Sequence, residues 1–468
     1  MNTQPGQFEE FRTKMTTANV SQAAQRAFEH SYQRLLAGDT GMIPESEIQT
    51  VDELPRLDDI GTGKSPASEL LSQAVVIKLN GGLGTSMGLE RAKSLLQVKD
   101  GLTFLDFIVR HVLHAQKQHA TPVRFVLMDS YSTSEDTMEY LRRYSELGPR
   151  DKLELMQSQV PKVDAKSLKP AVWPANPQLE WCPPGHGDIY PSLLGSGLLD
   201  QWLQEGRRYL FVSNADNLGA SLDLRVLSYF ADSNKPFLME VAERTPSDSK
   251  GGHLARRGQR LLLRESAQCP AGDQPLFQDI TRHRFFNTNN LWIRLDSLKD
   301  LIVKNQGFVP LPLIKNKKTI DPRDSASTPV FQLETAMGAA IQCFEDSGAL
   351  VVPRSRFAPV KTTSDLLALR SDAYKVTEDW RVALARPGGE PPPTVDLDPK
   401  HYKLVDQLDQ RLTEGVPSLK DCQELVIRGP VSLNKGNIFR GKVSVENPAP
   451  EPQALPAGIY EDGSIKLG

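Results

Sequence analysis

The chain lacks the features that mark several classes of protein. It has 468 residues but only four cysteines, which lie far apart and form no CxxC pair, so neither a disulfide framework nor a structural zinc site is expected. No apolar run approaches the roughly 20 residues of a membrane helix, and the N-terminus is too polar for a secretory signal. A net charge of −3 offers no basic excess for nucleic acid or an anionic membrane. We therefore expect a cytoplasmic protein with no nucleic-acid or membrane partner.

The length favours two or three domains, and the hydrophobic pattern gives a first division of the chain. Residues 1–70 are mainly helical, with Ala24, Phe28 and Leu35 on one helix face, and are expected to pack on the core. From residue 71 to residue 365, short apolar strands alternate with helical stretches, which predicts an α/β domain with a mostly parallel sheet between helices. The candidate strands are residues 74–79, 122–129, 152–157, 208–213 and 236–242, and the candidate helices are residues 103–118 and 132–147.

The alternating pattern weakens after residue 365. Residues 366–415 are expected to form a helical and loop connection. Residues 416–468 contain short apolar runs interrupted by Gly and Asn, which predicts a few strands or a turn or two of a β-helix. The proline-rich stretch 448–458 is expected to be an extended tail.

A glycine loop follows the first candidate strand, in the stretch AVVIKLNGGLGTSMGLERAKSLL. Gly84 and Gly88 are too close for a P-loop, and the third glycine comes one residue late for a dinucleotide-binding fingerprint. Glycines still let backbone N–H groups approach an anion, and a helix after the loop would add its positive end. Lys93 could then reach phosphate oxygens as a mobile charge. The loop is therefore predicted to bind phosphate, with a simple tight turn as the alternative.

Other polar residues lie where ligands are often bound. His186, between two glycines in WCPPGHGDIYPS, could donate to a phosphate, with a structural histidine as the alternative. Asp216 follows a strand in FVSNADNLGA and could bind Mg²⁺ or cap a turn. Asn287, Asn289 and Asn290 interrupt an apolar strand and suit the hydroxyl groups of a sugar.

Two charged residues lie at expected helix starts. Glu334, in FQLETAMGAA, could contact a ligand or cap the helix. Lys361 directly precedes the helix entry TTSD and could meet a phosphate or remain a surface lysine. The local sequence around each residue does not distinguish between these two roles.

Together these motifs resemble one family, in order, from about residue 74 to residue 372. They are KLNGGLGTSMG, DGLTFLDFIV, PPGHGDIYPSLL, FVSNADNLGA, FNTNNLW, QLETAMGAA and RSRFAPVKTTSDLL. They resemble the eukaryotic-type UTP–glucose-1-phosphate uridylyltransferases, also called UDP-glucose pyrophosphorylases. The resemblance implies that residues 71–365 form a Rossmann-like nucleotidyltransferase domain with a mixed sheet flanked by helices. It also implies that residues 416–468 form a short C-terminal domain resembling a left-handed β-helix.

The resemblance also implies the roles of individual residues. The nucleotide-binding residues would be Leu79, Asn80, Gly81, Gly82, Lys93, Gln157, Gly185, Asn214 and Asp216. The sugar-binding residues would be His186, Asn214, Asn287, Asn289 and Glu334. The catalytic residues would be Lys93, Lys361 and His186, and Asp216 would hold Mg²⁺.

The implied reaction converts UTP and glucose 1-phosphate into UDP-glucose and pyrophosphate. A sugar-phosphate oxygen attacks the α-phosphorus in line, and because this oxygen is already anionic, no general base is needed. Two alternatives remain open, namely a uridylyltransferase for N-acetylhexosamine 1-phosphate and a non-catalytic sensor of UDP-sugars. The protein is expected to be a monomer or a homo-oligomer that associates through its C-terminal region.

Overall fold

The computed structural model describes residues 8–61, 66–386 and 391–468. Its α-helices are α1 (Glu9–Thr17), α2 (Gln22–Leu36), α3 (Ala67–Ser72), α4 (Phe104–His119), α5 (Ser134–Leu141), α6 (Ile189–Gly195), α7 (Leu198–Gln204), α8 (Leu224–Ser233), α9 (Gln274–Gln278), α10 (Leu295–Lys304), α11 (Thr363–Arg370), α12 (Pro399–Tyr402) and α13 (Val405–Arg411).

The strands of the first part of the chain are β1 (Ala74–Leu79), β2 (Gln97–Lys99), β3 (Leu102–Thr103), β4 (Arg124–Asp129), β5 (Glu154–Met156), β6 (Val160–Pro161), β7 (Val163–Asp164), β8 (Trp181–Cys182), β9 (Tyr209–Asn214), β10 (Phe237–Glu243), β11 (His253–Arg257), β12 (Arg260–Arg264), β13 (Phe285–Arg294), β14 (Ile314–Thr319), β15 (Pro329–Glu334) and β16 (Gly348–Val351). Those that follow are β17 (Tyr374–Val376), β18 (Val382–Leu384), β19 (Thr394–Leu397), β20 (Leu412–Glu414), β21 (Ser418–Arg428), β22 (Val431–Asn434), β23 (Asn437–Glu446), β24 (Gln453–Ala454) and β25 (Gly458–Lys466).

The central sheet is mixed, as the resemblance implies, rather than mostly parallel as the strand–helix alternation predicts. Its order is β12-β11-β13-β9-β1-β4-β5, and β10 pairs with both β13 and β16. Strands β9, β1, β4 and β5 are parallel, whereas β13 runs antiparallel to β9 and β10. The antiparallel part includes the tight β11–β12 hairpin, where Gly258 has a positive φ of +58°. A short hairpin can only join antiparallel strands, whereas a helix between strands permits parallel pairing.

Strand β1 lies in the middle of this sheet because it is apolar on both faces except for the buried Lys78. Val75 and Ile77 pack in a buried cluster with residues of α6, α7 and α10. Val76, on the opposite face, packs in a second cluster with residues of α4 and α8. The sheet is therefore covered by helices on both faces, and its strand ends are left to form a ligand site.

The N-terminal helices pack against the sheet of β14, β15 and β7. Ser21 caps α2 by accepting a hydrogen bond from the N–H of Ala24, and Phe28 and Tyr32 point into a buried cluster with residues of β7 and β15. Gly38, with φ of +79°, follows the end of α2. The apolar face of α2 therefore fixes this segment to the larger part of the chain.

The segment after the glycine loop is not the helix that the sequence predicts. It forms two short 3₁₀ turns, Thr85–Met87 and Lys93–Leu95, and the next α-helix is α4. Gly84 and Gly88 flank the first turn with φ values of +71° and +77°, in the left-handed region that ends a right-handed helix. The loop therefore has no α-helix dipole directly behind it.

The C-terminal strands pair in parallel throughout. One sheet has the order β19-β21-β23-β25 and the other the order β20-β22-β24. The prediction of an extended tail at 448–458 is wrong, because Gln453–Ala454 pairs with β22 and Leu455 is buried. Within the described ranges, no helix combines the length and apolar character that crossing a membrane requires.

Candidate functional site

A cavity of about 320 Å³ opens at the carboxyl ends of β1, β4 and β9. It brings together most of the predicted site residues, namely Leu79, Asn80, Gly81, Gly82, Lys93, Gln157, Gly185, His186, Asn214, Asp216 and Lys361. Four further residues that sequence reasoning missed also line it: Ser94, Met128, Pro183 and Ala215. Ser94 and Ala215 adjoin predicted site residues, Met128 lies in a predicted strand and Pro183 lies in the stretch WCPPGHGDIYPS, so their neighbours are the signal that could have identified them.

Two lysines meet one carboxylate on one side of this cavity. Lys93 Nζ donates to Asp216 Oδ2 at 2.8 Å, and Lys361 Nζ donates to the same oxygen at 2.7 Å. Lys93 also donates to the backbone carbonyl of Val360, next to Lys361 in the chain. The cluster carries two positive charges against one negative charge, so it attracts a further anion.

Asp216 is ionised in this cluster, and one of its oxygens has no hydrogen-bond donor among the described residues. Burial would raise the pKa of Asp216, but the ammonium groups of Lys361 and Lys93 outweigh it and hold the pKa below its ordinary value. The second oxygen, Oδ1, is buried and has no hydrogen-bond partner among the described residues. An ionised carboxylate oxygen without a donor, on a residue that lines the cavity, has the chemistry of a ligand for a divalent cation.

A magnesium ion at Asp216 would need no other side chain as a ligand. Across the described ranges, no group of three or more His, Cys, Asp or Glu side chains converges as a metal cage. Mg²⁺ usually takes only one or two carboxylates from the protein and completes its coordination with substrate phosphates and water. The donor set around Asp216 therefore suits a cation that arrives with a nucleotide.

Helix α11 fixes the backbone that carries Lys361. Asp365 Oδ2 accepts hydrogen bonds from the N–H of Lys361 at 2.8 Å and of Thr362 at 2.8 Å, and Thr362 caps the helix in return. The helix predicted from TTSD is thus present, with Lys361 just outside its first turn. The lysine side chain is 56% exposed, so its ammonium can move between Asp216 and a ligand.

His186 is neutral and donates through only one of its ring nitrogens. Its Nδ1 accepts the N–H of Met337 at 3.0 Å, so the ring hydrogen of the neutral form lies on Nε2. Burial lowers the pKa of His186 to about 4, and the charge of Lys361 contributes to this shift. The side chain can therefore donate a hydrogen bond to a ligand in the cavity without adding charge.

Gly185 lies against the backbone of the next segment and admits no side chain. Its φ is +80°, and a Cβ there would lie 2.4 Å from the carbonyl oxygen of Thr335. The carbonyl of Gly185 accepts a hydrogen bond from Gln157 Nε2 at 3.1 Å. These two residues, both expected to bind the nucleotide, therefore contact each other directly.

Asn80 anchors the glycine loop through its side chain. Its Nδ2 donates to Asp129 Oδ1 at 2.6 Å and to Thr137 Oγ1 at 3.0 Å, and its backbone N–H donates to Met128 at 2.7 Å. The side chain is only 3% exposed. The ligand surface at this position is consequently the backbone of the loop rather than the amide group of Asn80.

The remaining predicted residues do not line the cavity itself. Asn287 Nδ2 donates to Asn289 Oδ1 at 2.9 Å, and Asn289 sits at a β-bulge of β13 with φ of +58°. Glu334 ends strand β15 rather than starting a helix, so that prediction is wrong. A 3₁₀ turn, Met337–Gln342, follows it, because β15 pairs with β14 up to Glu334.

Glu334 nevertheless lies beside the cavity, and Asn287 has a further polar neighbour. The Cβ of Glu334 would be 3.2 Å from a Cβ built on Gly185, so it flanks the loop that carries His186. Asn287 interacts with Glu265, a residue that sequence reasoning missed and whose pKa burial raises. Because Glu265 lies in no recognisable motif, only the fold brings it to Asn287.

A buried ion pair fixes the segment that precedes Lys361 against the residues that follow Asp216. Arg356 donates to both oxygens of Glu240, at 2.7 and 2.6 Å, and the Arg356 carbonyl accepts from Asn217 and Asn290. The charge of Glu240 is thereby satisfied inside the sheet. Asn290, predicted among the sugar-facing amides, is therefore occupied in this internal network.

The family model described as "UTP--glucose-1-phosphate uridylyltransferase" matches residues 25–440. A UTP--glucose-1-phosphate uridylyltransferase of Solanum tuberosum is 37% identical over 434 residues, covering 91% of this chain and 89% of the relative. The enzyme of the same name from Hordeum vulgare is 36% identical and covers 95% of this chain and 94% of the relative.

Solved structures give the same result. A mutant UDP-glucose pyrophosphorylase from Leishmania major in complex with UDP-Glc is 48% identical, with a TM-score of 0.94 and full coverage of both chains. A UDP-glucose phosphorylase from Trypanosoma brucei is 47% identical, with a TM-score of 0.89, covering 99% of this chain and all of that one. The chain belongs to the UTP--glucose-1-phosphate uridylyltransferase family.

Proposed function

We propose that this chain joins UTP and glucose 1-phosphate to form UDP-glucose and pyrophosphate. The observation that carries the proposal is the meeting of Lys93 and Lys361 on Asp216, beside the glycine loop, in a chain of this family. Two ammonium groups at one cavity reduce the repulsion between two highly anionic substrates.

In the proposed reaction a phosphate oxygen of glucose 1-phosphate attacks the α-phosphorus of UTP. A new P–O bond forms as the bond between the α-phosphorus and the bridging oxygen breaks, and pyrophosphate leaves on the opposite side. The attacking oxygen is already anionic, so the protein needs no general base. Positioning and charge stabilisation account for the rate enhancement.

Lys93, Lys361 and His186 contact the phosphates in this proposal. Lys361 is the more mobile charge, because it is 56% exposed whereas Lys93 is 15% exposed. Lys361 is therefore assigned to follow the negative charge of the phosphates as it shifts during the transfer. Neutral His186 donates a hydrogen bond from Nε2 to the phosphate of the sugar substrate.

The uridine half of UTP is assigned to the glycine loop and its neighbours. The backbone of residues 79–82 and Asn214 line the nucleotide, and Gln157 and Gly185 present amide and backbone groups to uracil. The mutual hydrogen bond of Gln157 and Gly185 supports this assignment, because it orients both groups before a base arrives.

The sugar is assigned to a polar set that includes His186, Asn214, Asn287, Asn289 and Glu334. Glu265 joins this set because it lies beside Asn287 and can accept from a hydroxyl group. Amide and carboxyl groups that hydrogen-bond each other in the free protein can exchange those bonds for sugar hydroxyls.

Mg²⁺ is assigned to Asp216, whose buried Oδ1 has no partner in the described part of the chain. When bound, the cation neutralises phosphate charge. Asp216 holds its place through the contacts of its other oxygen with Lys93 and Lys361.

We propose the following division of the chain into domains from the hydrophobic pattern and the family resemblance. Residues 1–70 form the N-terminal segment, 71–365 the catalytic domain and 366–415 the connection, and 416–468 form the C-terminal domain. The all-parallel pairing of the C-terminal strands supports a β-helix-like domain, which β19 joins from within the connection, and its left hand rests on the resemblance. We further propose a cytoplasmic enzyme, either monomeric or assembled through this C-terminal region.

A substrate panel tests the reaction and the choice of sugar together. Pyrophosphate release is measured with UTP, Mg²⁺ and the 1-phosphates of glucose, galactose, N-acetylglucosamine and N-acetylgalactosamine, with ATP in place of UTP as the control. Fastest release with UTP and glucose 1-phosphate supports the proposal. Preference for an N-acetylhexosamine 1-phosphate would replace the sugar. Binding of UDP-glucose without any pyrophosphate release would indicate a sensor.

A further inference from the structure

A buried carboxyl group lies directly beneath the glycine loop. Asp129 ends strand β4 and is fully buried. Its Oδ1 accepts from Asn80 at 2.6 Å and from Thr133 Oγ1 at 3.3 Å, whereas its Oδ2 has no hydrogen-bond donor in the described ranges. A buried carboxylate oxygen without a donor costs free energy, so this oxygen requires an explanation.

A second carboxyl group with the same deficiency faces it. Glu154 begins the neighbouring strand β5, and its Oε1 is also buried without a donor among the described residues. The two side chains are within hydrogen-bonding reach of each other. Two ionised carboxylates repel each other because both are negative, and neither can donate a hydrogen bond to the other. One shared proton removes one of the charges and gives each orphaned oxygen a partner.

We propose that Asp129 and Glu154 share one proton and that this acid pair positions the glycine loop for nucleotide binding. The inference rests on the proposed function, since it concerns the same nucleotide site. It assigns no chemical step to either residue, and both act as positioning residues through Asn80 and Gln157.

The contacts of β4 and β5 connect the pair to the site. Asp129 holds the side chain of Asn80, and its backbone carbonyl accepts the N–H of Gln157 at 2.8 Å. The next residue, Ser130, donates its hydroxyl to the carbonyl of Gly81 at 2.9 Å. Repulsion between two ionised carboxylates would push apart the ends of the two strands that carry these contacts.

The surroundings of Asp129 favour the protonated form. Burial raises the pKa of Asp129 to about 7, the hydrogen bond from Asn80 opposes this rise, and the charge of Glu154 adds to it. Thr133, which donates to Asp129 from the turn before helix α5, is uncharged, as is Thr137 of that helix, which accepts from Asn80. Glu154 from β5 is the charged group that acts on it.

The pair therefore makes nucleotide affinity depend on pH. If the bound state requires the proton, the apparent Kd rises in inverse proportion to the protonated fraction. With a pKa of about 7, the upper limit is about thirtyfold weaker binding at about pH 8.5 than at about pH 6. Binding at about pH 8 should also take up close to one proton per UDP-glucose.

Calorimetric titration with UDP-glucose tests this on the full chain with Mg²⁺, because the diphosphate keeps its charge over this range whereas UTP does not. Titrations at several pH values give Kd, and two buffers with different ionisation enthalpies give proton uptake. In Asp129→Asn the amide reproduces the protonated acid, so tight binding persists at high pH without proton uptake. In Glu154→Gln the amide donates to ionised Asp129, so the pH dependence is also lost.

Glu146→Gln removes an exposed carboxylate and is the matched control, which should keep the wild-type slope. Asp188, whose pKa burial also raises to about 7, remains in every variant. Lys78, whose pKa burial lowers to about 7, remains as well, so a slope retained in both Asp129→Asn and Glu154→Gln would assign it to a group outside the pair and overturn the inference. Wild-type affinity that is independent of pH, without proton uptake, would also overturn it while leaving the proposed function intact. Absence of UDP-glucose binding at every pH would overturn both.

Discussion

Replacing Lys361 by alanine should separate catalysis from stability. The lysine lies 2.7 Å from Asp216 and shares that carboxylate with Lys93 at 2.8 Å. Removing it takes away one of the two ammonium groups that offset phosphate repulsion, and loss of one such preorganised contact costs about 3 kcal/mol or more in the transition state. The expected loss in kcat/KM is therefore about a hundredfold or greater. An ion pair this exposed contributes at most about 1 kcal/mol to folding.

The assay is pyrophosphate release with UTP and glucose 1-phosphate, accompanied by a thermal unfolding curve for each variant. Lys420→Ala, which removes an exposed lysine from β21, is the matched control and should behave as wild type in both measurements. Lys361→Arg keeps the charge but changes the shape of the head group, so it should recover part of the activity. Wild-type kcat/KM in Lys361→Ala would remove the residue from the mechanism.

The remaining predictions concern three other positions. Gly185→Ala places a Cβ 2.4 Å from the carbonyl oxygen of Thr335 and should abolish measurable UTP binding. Gly206→Ala, with the same φ of +80° but open space around it, should bind UTP normally, and equal behaviour of the two variants in calorimetry would contradict the steric argument. Asp216→Asn should need a much higher Mg²⁺ concentration for half-maximal rate, and an unchanged magnesium curve would exclude it as the ligand. Because the folded pKa of His186 is about 4, below its ordinary value of 6.5, the unfolded chain binds the extra proton. The wild type should therefore lose up to about 3 kcal/mol of stability from about pH 6.5 to about pH 4, whereas His186→Gln should not lose this share in denaturant titrations.

The parallel half of the sheet could be predicted because its information is local. The run 74–79 is apolar on both faces except for Lys78, and a strand of this kind is expected to be buried between helices. The helix after Lys361 was equally accessible, because Thr362 and Asp365 form a capping box that can be identified from their spacing.

Other elements depended on contacts between distant parts of the chain. Glu334 ends a strand because β15 pairs with β14 and β7, and neither partner is visible in the sequence around it. The segment 448–458 resembled a tail because prolines are frequent in it, yet its middle pairs with β22. The helix expected after the glycine loop is absent there, because two left-handed glycines flank a 3₁₀ turn instead.

The candidate site shows the same division. Lys93, Asp216 and Lys361 lie in recognisable motifs, and the fold brings them together. Asp129 and Glu154 lie in strands whose apolar neighbours dominate the pattern, so their contact becomes visible only when β4 and β5 are adjacent. In the fold and in the site alike, the sequence did not reveal which strands pair with each other.

A crystal structure of the protein with UDP-glucose and Mg²⁺ tests the central claim most directly. The account predicts that the nucleotide sugar occupies the cavity at the ends of β1, β4 and β9, with uracil against Gln157 and Gly185. It also predicts the diphosphate beside Lys93 and Lys361, with the cation on Asp216. Density for UDP-glucose outside this cavity, or a diphosphate that contacts neither lysine, would contradict it.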